Sequence, residues 1–208
     1  MDAYFIRQCQ NNECRFRFPA AGEGAPGDVC PYCGAATAVT PVERRGTAAF
    51  RLTPRCTIEL LLDNIRSAYN VGAVFRAADG AGVRRLHLCG ITATPEHAKV
   101  HKTALGAANH LPWTYNRNGL DTAVALKRAG YLLWALEEAP QAELLYATPL
   151  AAPNGRPLLL ILGNEKTGVD PAILDQCHRI LALPMLGRKN SLNVAVACGI
   201  ALYHIQFG

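Results

Sequence analysis

From Pro54 onward, apolar runs of strand length alternate with segments that repeat apolar residues every three or four positions, the pattern of successive βα units around a largely parallel sheet. The strand-like runs are TIELLLD (57–63), RLHLCG (85–90), LPWTY (111–115), YLLWAL (131–136), LLLIL (158–162) and RILALP (179–184). Helical periodicity predicts helices near 70–81, 120–129, 171–177 and 192–206. In the first of these, Asn70 is a candidate cap and Val71, Val74, Phe75 and Ala78 form the buried stripe, so Gly72, Arg76 and Asp79 share another face. Asp170 followed by Pro171 suits a helix start, with the aspartate as cap and the proline in the first turn. The last helix, VAVACGIALYHI, is apolar nearly all round, which requires cover on two sides, from its own sheet and from another subunit. Ser191 or Asn193 is placed to cap it.

Residues 1–45 follow a different pattern: four cysteines, a Gly/Ala/Pro stretch (AAGEGAPG) and a polar joint (PVERRG). The expectation is a small module over 1–45, a linker over 46–56 and an α/β domain over 57–208. Composition narrows the class further. Half of the 208 residues are hydrophobic and 18% are charged, which argues against wholesale disorder. No apolar stretch reaches the roughly 18 residues of a membrane span, and MDAYFIRQCQNNEC lacks the features of a secretory signal, so a cytoplasmic location and no membrane partner are expected. A net charge of +5 is compatible with a polyanionic partner without establishing one.

Cys9 and Cys14 form C-x4-C, and Cys30 and Cys33 form C-x2-C within CPYCG. Two close pairs, each on a tight turn, match a tetrahedral structural Zn2+ site; a redox or disulfide pair is the alternative. Such a module has little core beyond Phe16, Phe18 and Tyr32, so the metal would supply much of its folding energy. Arg7, Arg15 and Arg17, interleaved with Phe16 and Phe18, could offer charge and stacking to RNA, or be solvated arginines around core aromatics. Cys56, Cys89, Cys177 and Cys198 sit singly in apolar surroundings and read as packed thiols.

Three polar interruptions remain. Gly72 in a helix interior makes sense if a ligand approaches closely, with Arg76 pointing at the same visitor; an arginine paired to Asp79 on a solvated face is the plainer reading. Gly163-Asn164-Glu165 ends an oily strand at the carboxyl edge of the sheet, where open α/β folds bind ligands, and small residues there expose backbone groups. Arg188 and Lys189, ahead of the last helix, are placed to meet phosphate, as are Arg44, Arg45, Lys99 and Lys102, although each also suits a solvated surface.

In this order the segments resemble the motifs of the SpoU/TrmH-type RNA ribose methyltransferases of the SPOUT superfamily. The resemblance rests on N-x5-R at Asn70 and Arg76, G-N-E-x-x-G at Gly163 to Gly168, P-M-x5-S-L-N-V-A-V-A at Pro184 to Ala197, and KTALGAANHLP at 102–112. It implies a parallel sheet with a deep C-terminal trefoil knot, a homodimer, and methyl transfer from S-adenosylmethionine to a ribose 2'-hydroxyl of tRNA or rRNA. It also implies donor contacts from Gly163, Leu183 and Leu192, with Leu162, Asn164 and Met185 nearby. The catalytic set it implies is Asn70, Arg76, Glu165, Ser191 and Asn193. Within it, Arg76 clamps the phosphate and 2'-oxygen, Asn70 fixes its approach, Glu165 orients it or closes the donor pocket, and Ser191 and Asn193 hold the loop over the donor. The cysteine-rich start departs from the family pattern and leaves the RNA target open. A catalytically silent RNA-binding or ribosome-assembly protein on the same fold is the main alternative. A dinucleotide oxidoreductase is disfavoured, since no G-x-G-x-x-G follows the first strand.

Overall fold

The computed structural model describes residues 4–21, 27–41, 52–147 and 155–208. The chain divides into two compact units, Met1–Arg51 and Leu52–Gly208.

The first unit carries strands β1 (Tyr4–Cys9), β2 (Arg17–Ala21) and β3 (Thr37–Pro41), which form an antiparallel sheet in the order β2-β1-β3. The turn after β1 is closed by Cys14 N–H and Arg15 N–H donating to Asn11 O, at 3.1 and 2.9 Å, and a second tight turn runs from Cys30 to Gly34. Arg7, a candidate RNA contact from its sequence position, is instead buried at 3% exposure. Its Nη1 donates to Asp28 Oδ1 at 2.6 Å and to Thr37 Oγ1 at 3.3 Å, because a buried guanidinium is tolerated only when paired. Phe16 and Tyr32, expected in the miniature core, are exposed at its surface.

The second unit is built on β4 (Ile58–Asp63), β5 (Arg85–Cys89), β6 (Trp113–Asn116), β7 (Leu132–Leu136), β8 (Glu143–Leu144), β9 (Leu158–Leu162) and β10 (Arg179–Ala182). The order is β6-β5-β4-β9-β7-β10-β8, and the neighbours pair in parallel. Five of the six longer strands fall within the apolar runs of the sequence, and β6 extends one residue past its run, to Asn116. β4 and β9 lie centrally and are buried at every residue, which is why they read as continuous oil rather than as an alternation. One face of the sheet carries the larger core, with α1 (Ala68–Gly80) and α5 (Val194–Phe207) contributing Val71, Val74, Phe75, Ala78, Cys198 and Leu202. The other face packs under α3 (Gly119–Arg128) and α4 (Pro171–Leu174), with Leu61, Leu133, Leu159 and Ile161 at its centre. Between β5 and β6 lies a further helix, α2 (Ala98–Ala104), that the periodicity did not predict.

Glu59 is one of two buried acids in β4, the other being Asp63 at its carboxyl end. His87 Nε2 at 2.8 Å and Tyr131 Oη at 3.0 Å hold the Glu59 carboxylate. Burial works to raise its pKa, but the contacts from His87, Tyr131 and Arg84 outweigh burial and leave it lowered. Of the four cysteines read as packed thiols, Cys89 and Cys198 are buried, while Cys56 and Cys177 are half-buried. Among the described residues, no helix is long and apolar enough to cross a membrane.

Candidate active site

The carboxyl ends of β9, β7 and β10 lie side by side, and a cavity of about 480 Å³ opens beyond them. That volume suits a small-molecule ligand. Its walls come from four stretches of chain: Asn70 on α1; Leu136, Glu137 and Glu138 after β7; Gly163 to Lys166 with Gly168 after β9; and Leu181 to Leu183, Met185 and Asn190 to Val194 with Ala197 from β10 to α5.

The β9 end is shaped by one close crossing. Gly163 lies against the backbone of Gly168 and Val169, so that any Cβ there would overlap main-chain atoms that cannot move aside. The loop folds back on itself through Asn164 N–H to Gly168 O at 3.0 Å and Gly168 N–H to Asn164 O at 2.9 Å. The Asn164 side chain fixes both flanks. Its Nδ2 donates to Asn64 O at 2.7 Å, and its Oδ1 accepts from Lys166 N–H at 2.9 Å. Glu137 Oε2 accepts from Val169 N–H at 2.7 Å, tying the end of β7 to the same loop.

Glu165 caps the start of α1 from a distance of about one hundred residues in sequence. Its carboxylate accepts from Arg66 N–H at 2.8 Å, Ser67 N–H at 3.0 Å and Asn70 Nδ2 at 2.9 Å. Burial pushes its pKa up, but the Arg66, Asn70 and Ser67 donors together with its own N–H prevail, and the carboxyl titrates below its ordinary value. A carboxylate at a helix start also meets the favourable end of the helix dipole. Asn70 Oδ1 in turn accepts from Asn193 Nδ2 at 3.0 Å, and Asn193 Oδ1 caps α5 through Ala195 N–H at 2.9 Å. Glu165, Asn70 and Asn193 therefore form one relay that joins all three polar interruptions of the sequence.

Two details of the first helix differ from the sequence expectation. Ser67, not Asn70, is its N-cap: Ser67 sits in extended backbone and its Oγ accepts from Asn70 N–H at 3.3 Å. Asn70 is thereby freed to bridge Glu165 and Asn193. Gly72 is buried and faces α2, where a Cβ would overlap Thr103 Oγ1 and crowd Val100 O at 2.7 Å. It serves helix packing rather than the approach of a ligand.

Of the site residues expected from sequence, Asn70, Gly163, Asn164, Glu165, Leu183, Met185, Ser191, Leu192 and Asn193 line the cavity. Leu162 is buried in the sheet core behind it. Arg76 stands exposed on α1 and is not part of the lining; among the described residues, no ion pair joins it to Asp79. Asn70 and Arg76 are six residues apart, about 9 Å along a helix axis and well around its circumference. Glu137 and Glu138 are cavity residues the sequence reading missed, because their adjacency to the β9 loop is a matter of strand order. Lys99 Nζ lies 5.3 Å over the Tyr69 ring. Lys102, Arg188 and Lys189 are exposed, and Arg44 and Arg45 lie outside the described residues.

In the first unit, the sulfurs of Cys9, Cys14, Cys30 and Cys33 all lie within 4.8 Å of one another. Cys9 Sγ and Cys33 Sγ are 3.4 Å apart, and Cys14 Sγ and Cys30 Sγ 3.8 Å. A tetrahedron of thiolates at zinc–sulfur bond length has edges of about 3.8 Å, so the donor set fits Zn2+. Burial opposes ionisation of Cys30, yet N–H donation from Cys33 and Tyr32, helped by the neighbouring cysteines, brings its thiol down to about 7.

A parallel sheet with a motif-lined cavity at its carboxyl edge, bordered by a glycine loop and the start of a C-terminal helix, defines an α/β ligand-binding domain. Residues 57–203 match the model of the SpoU rRNA Methylase family, and the chain belongs to that family. It is 35% identical over 150 residues to the 23S rRNA (guanosine(2553)-2'-O)-methyltransferase RlmP of Bacillus subtilis, covering 71% of this chain and 57% of that protein. It is 34% identical over 147 residues to the 23S rRNA (guanosine-2'-O-)-methyltransferase RlmB of Pseudomonas aeruginosa, covering 70% and 57%. The chain thus spans just over half the length of these two relatives. Among solved structures, the TrmH/SpoU tRNA modifying enzyme of A. aeolicus superposes with a TM-score of 0.63 at 26% identity, covering 74% of this chain and 76% of that one. The AdoMet-bound rRNA methyltransferase of Sinorhizobium meliloti shares the fold, with a TM-score of 0.66 at 24% identity over 74% and 60% of the two chains.

Proposed function

We propose that the protein transfers a methyl group from S-adenosylmethionine to a ribose 2'-hydroxyl of tRNA or rRNA, as a cytoplasmic homodimer whose first unit holds a structural Zn2+. One observation carries the reading: Glu165, Asn70 and Asn193, one from each motif, are joined by hydrogen bonds at the rim of a single cavity. The relatives' names, 2'-O-methyltransferases of 23S rRNA, support the same chemistry. A catalytically silent RNA-binding protein would have no need of such a cavity.

The cavity suits the donor. Gly163 leaves main-chain atoms open to a ligand, Leu183, Met185 and Leu192 offer apolar contact, and Glu137, Glu138 and Glu165 outnumber Lys166 among the lining charges, favouring a cation. S-adenosylmethionine supplies an electrophilic methyl carbon on a positively charged sulfur. The acceptor hydroxyl is a poor nucleophile until its proton is drawn off, so the protein must align it and stabilise the developing alkoxide. Arg76 takes that part as a clamp on phosphate and 2'-oxygen, because a guanidinium keeps its proton and donates in a fork. Glu165 closes the pocket by holding the start of α1, and Asn70, Ser191 and Asn193 keep the loop before α5 in place.

The homodimer is supported by α5. Val196, Tyr203 and Phe207 are exposed on that nearly all-apolar helix, although its other side is packed in the core. In a dimer that follows the family resemblance, Arg76 of one chain serves the cavity of its partner, which is consistent with its place outside the cavity of its own chain. The deep trefoil knot of the C-terminal segment belongs to the same proposal and rests on membership of the family. Isothermal calorimetry with S-adenosylmethionine tests the donor site: one equivalent bound per chain is expected, and no uptake by the folded protein would overturn the reading.

A further inference from the structure

The rings of the cysteine-bearing unit stand outside its core yet against one another. Tyr32 is 80% exposed and Phe16 42%. Their ring centroids lie 6.0 Å apart with planes inclined by 19°, and Phe18 tilts against Phe16 at 5.7 Å. A unit this small has strong reason to bury its aromatics, so a stacked pair left in water is a surface in want of a partner. Two exposed cations, Arg15 and Arg17, flank Phe16 in the chain. Arg7 and Asp28 cancel each other, and exposed Glu13 is the neighbouring charge of opposite sign.

The rings come from the two halves of the cysteine cluster. Tyr32 lies between Cys30 and Cys33, and Phe16 two residues past Cys14, so the pair faces correctly only when the cysteines gather, as they do with Cys14 Sγ and Cys30 Sγ at 3.8 Å.

We infer that this unit presents a metal-organised stacking platform for unpaired RNA bases. Tyr32 and Phe16 stack on the flat faces of successive bases, and Arg15 and Arg17 meet the phosphates. Exposed ring faces on a unit that also exposes Arg15 and Arg17, the latter donating to Gln8 Oε1 at 2.9 Å, match a strand of exposed bases on an anionic backbone, whereas a duplex hides its base faces. The inference rests on the RNA reading above and extends it by assigning part of the substrate grip to the first unit.

The experiment uses the full-length, metal-loaded protein and a fluorescent single-stranded oligonucleotide of about 12 nucleotides, a length within the usual span of such grooves. Anisotropy is read over a range of salt, beside a duplex of the same sequence. The strand should bind more tightly than the duplex. Phe16→Ala combined with Tyr32→Ala should weaken strand binding by about tenfold, and Tyr32→Phe by less than about twofold, because stacking needs the ring and not the hydroxyl. Metal content and S-adenosylmethionine binding should not change. Should the alanine pair shed its metal, Arg15→Ala with Arg17→Ala gives a second reading: a salt dependence shallower by about one to two ion equivalents is expected.

Equal strand binding by the metal-loaded alanine pair, an unaltered salt slope in the arginine pair, a preference for duplex, or self-association lost in place of RNA binding would each overturn the platform. Wild-type protein that methylates RNA while the ring variants bind unchanged removes only this inference. Wild-type protein that neither binds nor methylates any RNA removes the proposed function with it.

Discussion

Glu165 and Asn70, 95 residues apart in sequence, are joined by a 2.9 Å hydrogen bond from Asn70 Nδ2 to Glu165 Oε1. The same carboxylate holds the N–H groups of Arg66 and Ser67, so a single side chain decides how the loop after β9 meets the start of α1. Glu165→Ala leaves those donors to water. With its acceptor exposed and screened, the stability cost should be about 1 kcal/mol, a fall in melting temperature of about 2–4 °C. Donor affinity should fall by more than stability alone explains, which calorimetry on the folded variant would register.

The lowered pKa of Glu165 sets a sign for pH. A carboxyl that titrates lower in the folded chain contributes stability above its ordinary pKa of 4.5 and loses it as pH falls through the folded value. Glu59, lowered through His87 and Tyr131, acts in the same direction. Asp63 is opposite: burial first, and the nearby Asp170 charge, outweigh the bond from Asn64 and raise it above 3.8. Asp63→Asn should therefore stabilise the protein at neutral pH, with the gain vanishing in acid, whereas Glu165→Gln should flatten the acid limb of the melting-temperature profile. Thermal melts across pH 3 to 8 in the two variants check both signs.

How much of this was legible in the sequence follows from what each element owes to local pattern. β4 and β9 show as continuous oil because both faces are covered, and Asp170 with Pro171 marks α4 by chemistry that needs no tertiary partner. β8 is only Glu143 and Leu144, both exposed, and α2 reads AKVHKTA with a single i, i+4 pair, Val100 and Ala104, as its buried residues, so both are too short to show a period. Asn70 reads as a cap from the sequence, and only the positions of Glu165 and Asn193 show it as a bridge. Glu137 and Glu138 were invisible because β7 neighbours β9 by sheet order, not by sequence. Arg7 reads like Arg15 and Arg17 until Asp28 comes beside it.

Gly163 tolerates no side chain, since a Cβ would overlap the backbone of Gly168 and Val169. Gly163→Ala must shift that crossing and should cost about 1–3 kcal/mol. It should abolish donor binding even where the variant remains folded, a separation that circular dichroism and calorimetry on one sample would reveal.

Arg76 provides the test of shared sites. Arg76→Ala should slow single-turnover methyl transfer by about 100-fold, about 2.7 kcal/mol of barrier, with donor affinity held within about twofold. If Arg76 serves the cavity of its partner, mixing this variant with Gly163→Ala should restore about a quarter of wild-type activity, since half of the dimers regain one intact site. Mixtures as inactive as their components would show that arginine and cavity work within one chain.

The gathered thiols predict one Zn2+ per chain. Cys30→Ser with Cys33→Ser should empty the site and expose the amides of β1 to hydrogen exchange while α1 and β9 keep their protection. Elemental analysis with exchange mass spectrometry reads both, and full metal content in the double variant would point to other ligands.

The account turns on where the methyl group lands. Incubation with methyl-labelled S-adenosylmethionine and bulk tRNA or rRNA, followed by alkaline hydrolysis, distinguishes ribose from base, because a 2'-O-methyl blocks cleavage at its own linkage. The account predicts label in alkali-resistant dinucleotides, lost in Arg76→Ala; label in mononucleotides, or none from folded wild-type protein on any RNA, would contradict it.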